Sequence, residues 1–384
     1  MKPRLRKTLL LSGKVLLAIV LLAWELSKAH WRDYVVTTEG ESHAVIAATE
    51  SDGQRAWTVA TGFLGAGEAA VLEPQQLIPT ETQSDRYVRP GFASTIAELR
   101  KPLLCAAALA FLISLLIIAL RLWVLLGIQR IRVALWELVR LTFLGQFFNY
   151  VVPGTVGGDL VKAYYLAKHT PRKAAVLVSI FVDRVMGFAE LTLMAAMMIL
   201  VVLAGHLPGH QDMERPAIAV GALLLVVVGM LTFLLSERFR RIFGLRRLYR
   251  RLPIAHHIAA AGDAARLYRE RVGALVRAIV ISFGAHIFFV TCMCLIGMSL
   301  SLRAPWYSYF IYVPLIYIAG SVPLTPGSIG VLEGLYQAFF VAGLGCEPSR
   351  VLALALLARV IPMFWGLPGA IVAIRGARVP GPGA

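Results

Sequence analysis

The sequence predicts an all-α polytopic membrane protein: about six full spans, two re-entrant broken-helix hairpins in an inverted repeat, and a small, mostly β extracytoplasmic insert. Three observations carry this reading. The 384 residues are 58% hydrophobic and only 16% charged, with a mean hydropathy of +0.72, and several apolar runs reach the roughly 20 residues that cross a bilayer. The stretch 30–100 stands apart as polar and acidic. Two similar segments, 152–159 (VPGTVGGD) and 325–333 (TPGSIGVLE), interrupt apolar territory.

Each of these segments reads Pro-Gly, a small hydroxyl residue, a β-branched residue and Gly, with an acidic residue following. Proline removes a backbone donor and glycine admits positive φ, so an arriving helix stops and a new one starts beyond. Unpaired backbone at membrane depth survives only when it is buried in protein or lines a wet cavity. The two breaks therefore point to one interior site.

The net charge of +16 sits mainly in segments flanking the apolar runs. That distribution follows the positive-inside rule and argues against a nucleic-acid partner. Cys105, Cys292, Cys294 and Cys346 fall in or beside apolar runs without a Cys-x-x-Cys pair. They read as small buried hydrophobes, and neither a metal nor a cofactor is expected.

In chain order, the basic MKPRLRK start precedes a first transmembrane helix at 8–26, within a unit 1–29. The helix is expected to be retained rather than cleaved at Ser27-Lys28-Ala29. Between 31 and 99 lie ten acidic residues against four arginines and no lysine. Short β-leaning runs at 34–38, 44–48, 56–60 and 69–72 predict about four strands. This insert reads as an ornament or as a docking module for an extracytoplasmic protein partner.

The membrane domain occupies 101–376. Spans are expected at 102–126, 174–203, 217–235, 278–300 and 351–374. The run 141–152, with Gln146 and Asn149, is too short to cross, so 141–160 reads as a hairpin dipping in from the cytoplasm. A second hairpin, 306–322 then 329–344, enters from the other side. The loop 237–277, with eleven arginines against three acidic residues, sets topology and is also read as amphipathic helices on anionic inner-leaflet lipids. Both termini are expected in the cytoplasm, the chain lying in the cytoplasmic (inner) membrane, with 377–384 a disordered tail.

Charged residues within spans are the candidate functional groups, since an arginine at the centre of a spanning helix costs about 2.5–3.5 kcal/mol. Asp183 and Glu190 are one heptad apart and share a helix face, while Arg184 points roughly 100° away and needs a partner from another helix. Arg359 follows the same logic in the last span. Asp159 and Glu333 each fall in the first turn after a break, where the helix dipole favours a carboxylate. Each also stands to hold a cation in the cavity: Arg184, Arg359 or a headgroup amine. The neighbouring glycines offer N–H groups for a phosphate. Arg121 reads as snorkelling to the interface and His286 as a packing residue.

The motifs VVPGTVGGDLVKAYYLAK, VDRVMGFAEL, PLTPGSIGVLEGLYQAF and LLARVIPMFWGLPGAI, in this order, resemble the lysylphosphatidylglycerol synthase transmembrane family of flippase-like proteins over about residues 102–375. The resemblance implies roles in substrate binding for Gly157, Gly158, Asp159, Lys162, Asp183, Arg184, Pro326, Gly327, Gly330, Glu333 and Arg359. It implies a translocase for a membrane phospholipid with a polar or phosphate-bearing headgroup. The alternative is a membrane-embedded transferase or accessory subunit on a lipid-linked substrate. A third reading is a scaffold acting through the insert. No soluble acyltransferase domain follows, so aminoacylation is not expected, nor does a Walker loop or His-Glu-x-x-His helix point to catalysis. Leu332 stands where many relatives have arginine, a departure that bears on headgroup charge.

Overall fold

A computed structural model describes Val20 and residues 30–39, 41–51, 54–60, 69–79, 87–151, 157–168, 170–235, 266–268, 270–322 and 324–375. The first expected helix apart from Val20, the Pro153-Gly154 break, most of the arginine-rich loop and the tail 377–384 lie outside these residues.

The insert folds as an antiparallel meander, β1 (Tyr34–Val36), β2 (Ser42–Ser51), β3 (Gln54–Ala60) and β4 (Ala69–Leu72), in the order β1-β2-β3-β4. The pleat turns alternate side chains to opposite faces. Val35, Trp57, Val59 and Leu77 are buried together while Ile46 and Val71 are exposed. Strand β2 extends beyond the expected 44–48 at both ends, pairs with β1 and β3, and carries a register shift between Val45 and Ala47.

Polar contacts fasten the insert to the helical part. Asp33 accepts from the Gly91 N–H at 2.8 Å and from the Ser94 hydroxyl, fixing the short helix α1 (Phe92–Ala97). The Tyr34 hydroxyl donates to Glu347 at 3.4 Å across the chain. Burial pushes the Tyr34 phenol up to about 12, so it remains a neutral donor. Burial also raises the Glu347 carboxyl above its ordinary value, with Arg350 and Arg89 pulling it back. A raised folded-state value gives stability that is complete below the unfolded value and lost as pH rises through the raised one. Denaturant unfolding of the insert, read by tryptophan fluorescence, is thus expected to show the wild type gaining on Glu347→Gln as pH falls from neutral into the carboxylate range.

By length and composition, five described helices can cross a membrane. They are α2 (Lys101–Ile128), α5 (Lys173–Ala204), α6 (Glu214–Leu235), α7 (Val272–Ser299) and α10 (Pro348–Arg375). Between them lie shorter helices: α3 (Leu135–Val151), α4 (Gly157–Lys168), α8 (Trp306–Gly320) and α9 (Val331–Tyr336), the last running on as a π-helical turn, Gln337–Ala342.

Helix α3 begins earlier than the expected 141, because Glu137 and Arg140 pair at 3.2 Å across its first turns. Its 17 residues still rise only about 26 Å, less than the hydrocarbon core. Helix α7 likewise starts before 278, just beyond Tyr268, whose buried hydroxyl donates to Leu125 O and to Ser179 at 3.2 and 2.8 Å.

Helices α3 and α4 pack at a glycine crossing: a Cβ on Gly158 would stand 2.2 Å from the Gly145 carbonyl oxygen. The pair joins the bundle where α2 ends and α5 begins, an end marked by Arg172 Nη1 donating to Gln129 O at 3.1 Å. Helices α8 and α9 join at the insert end, where Arg350 donates to Ser301 O and Tyr307 to Pro208 O, both at 2.6 Å. Between α8 and α9 the chain turns through left-handed φ values of 58° at Gly327, 55° at Ser328 and 79° at Gly330. That conformation ends one helix and re-aims the next. The Ser328 hydroxyl, donating to Gly320 O at 2.6 Å, holds the one non-glycine of the three in place.

The main apolar core lies among α2, α5, α7, α8, α9 and α10, with Tyr309, Tyr336, Phe340 and Met293 fully buried. Helix α10 also runs antiparallel along α3. A Cβ on Gly369 would lie 2.1 Å from the Phe143 carbonyl oxygen, and one on Gly366 3.4 Å from Phe147 Cα.

Candidate functional site

Among the described residues three charged clusters surround the interior, two where a short helix meets a long one and one among three long helices. In the first, Asp159 on the opening turn of α4 accepts from Arg184 Nε on α5, while Lys162 Nζ lies 3.7 Å from the other carboxylate oxygen. Asp159 thus supplies the partner that Arg184 requires. Gly145 leaves room for Lys162, since a Cβ there would stand 2.6 Å from Lys162 Cε.

In the second, Glu333 at the start of α9 is 1% exposed and accepts from Arg359 of α10 at 2.8 and 3.0 Å. Its other oxygen accepts the Gly330 N–H at 2.7 Å. Arg359 Nη1 and Nη2 also donate to the carbonyls of Gly327 and Ser328 at 2.8 and 3.3 Å. One guanidinium therefore ties the broken backbone to the helix beyond it, using the planar fork that arginine provides.

The third cluster joins α2, α5 and α7. Arg121 Nε donates to Asp183 at 2.5 Å, and its Nη1 donates to Ser282 at 3.1 Å and lies 3.5 Å from Glu190. His286 Nδ1 lies 3.0 Å from the same Glu190 oxygen. Asp183 and Glu190 do share a face, but they hold Arg121, not Arg184. Arg121 is 5% exposed, so it does not snorkel, and two carboxylates compensate its burial. Gly187 lies between the two acids, where a Cβ would stand in ordinary contact with Arg121 at 3.7 Å and His286 Nε2 at 3.8 Å.

Arg184, Arg359 and His286 open onto one cavity of about 350 Å³. Its apolar wall includes Phe111, Leu115, Phe188, Phe289 and Leu332, and its polar wall Gln146, Asn149, Tyr150, Tyr317 and Ser321. Among the described residues, no aspartate or glutamate lines it. The carboxylates stand behind the arginines, so the cavity surface presents cations.

Of the residues singled out from sequence, Arg184, Gly327 and Arg359 line the cavity, and Asp159, Lys162 and Glu333 stand behind them. Gly157, Gly158 and Gly330 do not line it, and Pro326 opens the turn Pro326–Ser328. The Gly158 N–H donates to Asn149 Oδ1 at 2.8 Å and the Gly330 N–H to Glu333. These two donors are satisfied within the protein, Gly158 serving the helix approach and Gly330 the positive φ. Arg121 and His286 are central to the third cluster rather than an interfacial and a packing residue. The signals in the sequence are Ser114–Arg121 at i, i+7 on α2 and Ser282–His286 at i, i+4 on α7, polar pairs at helical spacing in otherwise apolar helices.

A bundle of apolar helices closed around an internal, arginine-bearing cavity defines a multi-pass membrane protein. The family profile described as lysylphosphatidylglycerol synthase TM region matches residues 91–369, and the chain belongs to that family of membrane proteins acting on lipids. The match starts at Gly91, beyond the β meander. A comparison with curated proteins returns no match.

Proposed function

We propose that the protein is a translocase that moves a lipid with a phosphate-bearing headgroup across the cytoplasmic membrane, the headgroup passing through the cavity while its tails stay in the bilayer. The observation that carries this reading is that Arg184 and Arg359, from different helices, face one cavity without a lining carboxylate. Guanidinium is suited to phosphate oxygens. At about 350 Å³ the space falls at the small end of ligand sites and suits a headgroup rather than a whole lipid. The mixed apolar and polar wall matches an amphiphile.

In this reading α3–α4 and α8–α9 are re-entrant hairpins of an inverted repeat, approaching from the cytoplasmic and outer sides, with both termini cytoplasmic. Broken helices meeting at mid-membrane are how transporters build such sites. Inner-leaflet lipids would gather at the arginine-rich loop, and the insert would face outward, open to a protein partner.

The test is reconstitution with a fluorescent short-chain phosphatidylglycerol, its transfer between leaflets followed by chemical quenching. Loss of a charge-assisted bond worth about 1.5–3 kcal/mol predicts that Arg184→Ala slows transfer roughly tenfold to a hundredfold, with Arg184→Lys intermediate. Equal rates in wild type and Arg184→Ala would refute the reading.

A further inference from the structure

We infer that the Arg121–Asp183–Glu190–His286 cluster is a proton-binding site opening onto the cavity through His286, and that the proton binds together with an anionic headgroup. The coupling to lipid rests on the translocase reading; the proton site itself does not.

Charge balance is the first argument. Arg121 carries a fixed positive charge, whereas two carboxylates, Asp183 and Glu190, surround it at 8% and 1% exposure. Within the cluster two buried carboxylates share one guanidinium, which leaves Glu190 only Nη1 at 3.5 Å as a fixed counter-charge, and the Asp159–Arg184–Lys162 cluster carries the opposite excess.

The second argument is an orphaned carboxylate. Asp183 is held by Arg121 Nε, but among the described residues neither buried oxygen of Glu190 has a hydrogen-bond partner. Arg121 at 3.5 Å and His286 at 3.0 Å approach its Oε2 without making that bond.

The geometry also gives the proton a route. His286 Nδ1 is hydrogen-bonded to the Ser282 carbonyl at 3.1 Å, which can only accept, so Nδ1 carries the hydrogen, with Glu190 Oε2 nearby at 3.0 Å. In the neutral ring the lone pair is then on Nε2, which no described residue engages by hydrogen bond, and His286 lines the cavity. A proton arriving from cavity water adds to Nε2 without breaking the Nδ1 contact. The resulting imidazolium neutralises the cluster and adds a cation to the cavity wall.

Among the other charged or titratable groups near the cluster, Tyr268 faces Asp183 with its hydroxyl bonded to Ser179, and Tyr150 and Tyr336 stand on the cavity wall. Asp159 and Lys162 of α4 are engaged with Arg184. Helix α6 carries its charges at Glu214 and Arg215, its first two residues. Helix α8 brings Tyr317 to the cavity, and α10 brings Arg359. A phosphate near protonated His286 favours the proton, and by linkage the proton favours the phosphate equally.

The first experiment needs no lipid. Infrared difference spectra of the purified protein across a pH titration are expected to show a carboxylate–imidazole transition that both His286→Gln and Glu190→Gln remove. Two variants from different helices, each checked for a native gel-filtration profile, separate loss of the site from loss of folding. No such transition in the wild type, or the same transition in folded variants, overturns the proposal.

The second experiment adds the lipid. Affinity for short-chain phosphatidylglycerol in wild type should rise as pH falls, approaching about tenfold per pH unit for one linked proton, and should be flat in His286→Gln. Binding with the same slope in both overturns the coupling. An infrared transition without lipid movement supports the proton site and refutes the translocase reading.

Discussion

Replacing Arg121 by leucine is expected to cost about 3–5 kcal/mol, because removing one member of a buried ion cluster strands the charges left behind. Asp183 and Glu190 would both remain in the interior without the guanidinium that faces them. Thermal unfolding in detergent measures the loss directly. Arg121→Lys is expected to recover only part of it, since an ammonium keeps the charge but cannot fork to Asp183, Ser282 and Glu190 together. A variant carrying leucine at 121, 183 and 190 should regain most of the stability, as apolar replacements of whole buried ion clusters do. If Arg121→Leu unfolds like wild type, the cluster is not the buried polar core described above.

The second large effect is expected from Glu333→Ala. It leaves Arg359 without its carboxylate and the Gly330 N–H without its acceptor. The broken ion pair again implies about 3–5 kcal/mol, and the lost cap about 1 kcal/mol more. Glu333→Gln separates the two roles: its amide oxygen can still accept from Gly330, but its charge is gone. Glu333→Gln should therefore retain the cap contribution while losing the ion pair, an ordering that unfolding of wild type and both variants in one detergent would check. Lipid transfer is expected to fall in both, because Arg359 is released from the position that faces the cavity.

Much of this architecture was legible from single residues. Apolar length located the five described helices long enough to cross a membrane, and short β-leaning runs located the four strands of the insert. The Thr325–Glu333 break was readable because Gly327 and Gly330 stand where φ is positive. That Asp159 and Glu333 each hold a cation was readable because an arginine in an apolar helix demands a counter-charge, with Arg184, Arg359 and a headgroup amine all open as that cation. What the pattern did not carry was which charge meets which across sequence distance. Asp183 adjoins Arg184 in the chain, yet helical geometry turns it to Arg121, 62 residues away. The glycines were legible as breaks but not as contacts. Nothing local says that Gly158 lies on Gly145, or that Gly369 lies on Phe143. Those distinctions live in packing, where the absence of a side chain matters only once a neighbour arrives.

The α3–α10 seam constrains how the cavity can open. Helix α10 is joined to one hairpin by backbone approach at Gly366 and Gly369 and to the other by the Arg359 fork. These attachments differ in kind: a glycine seam is shape-matched and loses contact when it slides, whereas a guanidinium can exchange one acceptor oxygen for another. In the translocase reading proposed above, an arriving phosphate trades places with the Gly327 and Ser328 carbonyls, which makes α8–α9 the leaf that swings while α3, α4 and α10 remain the doorframe.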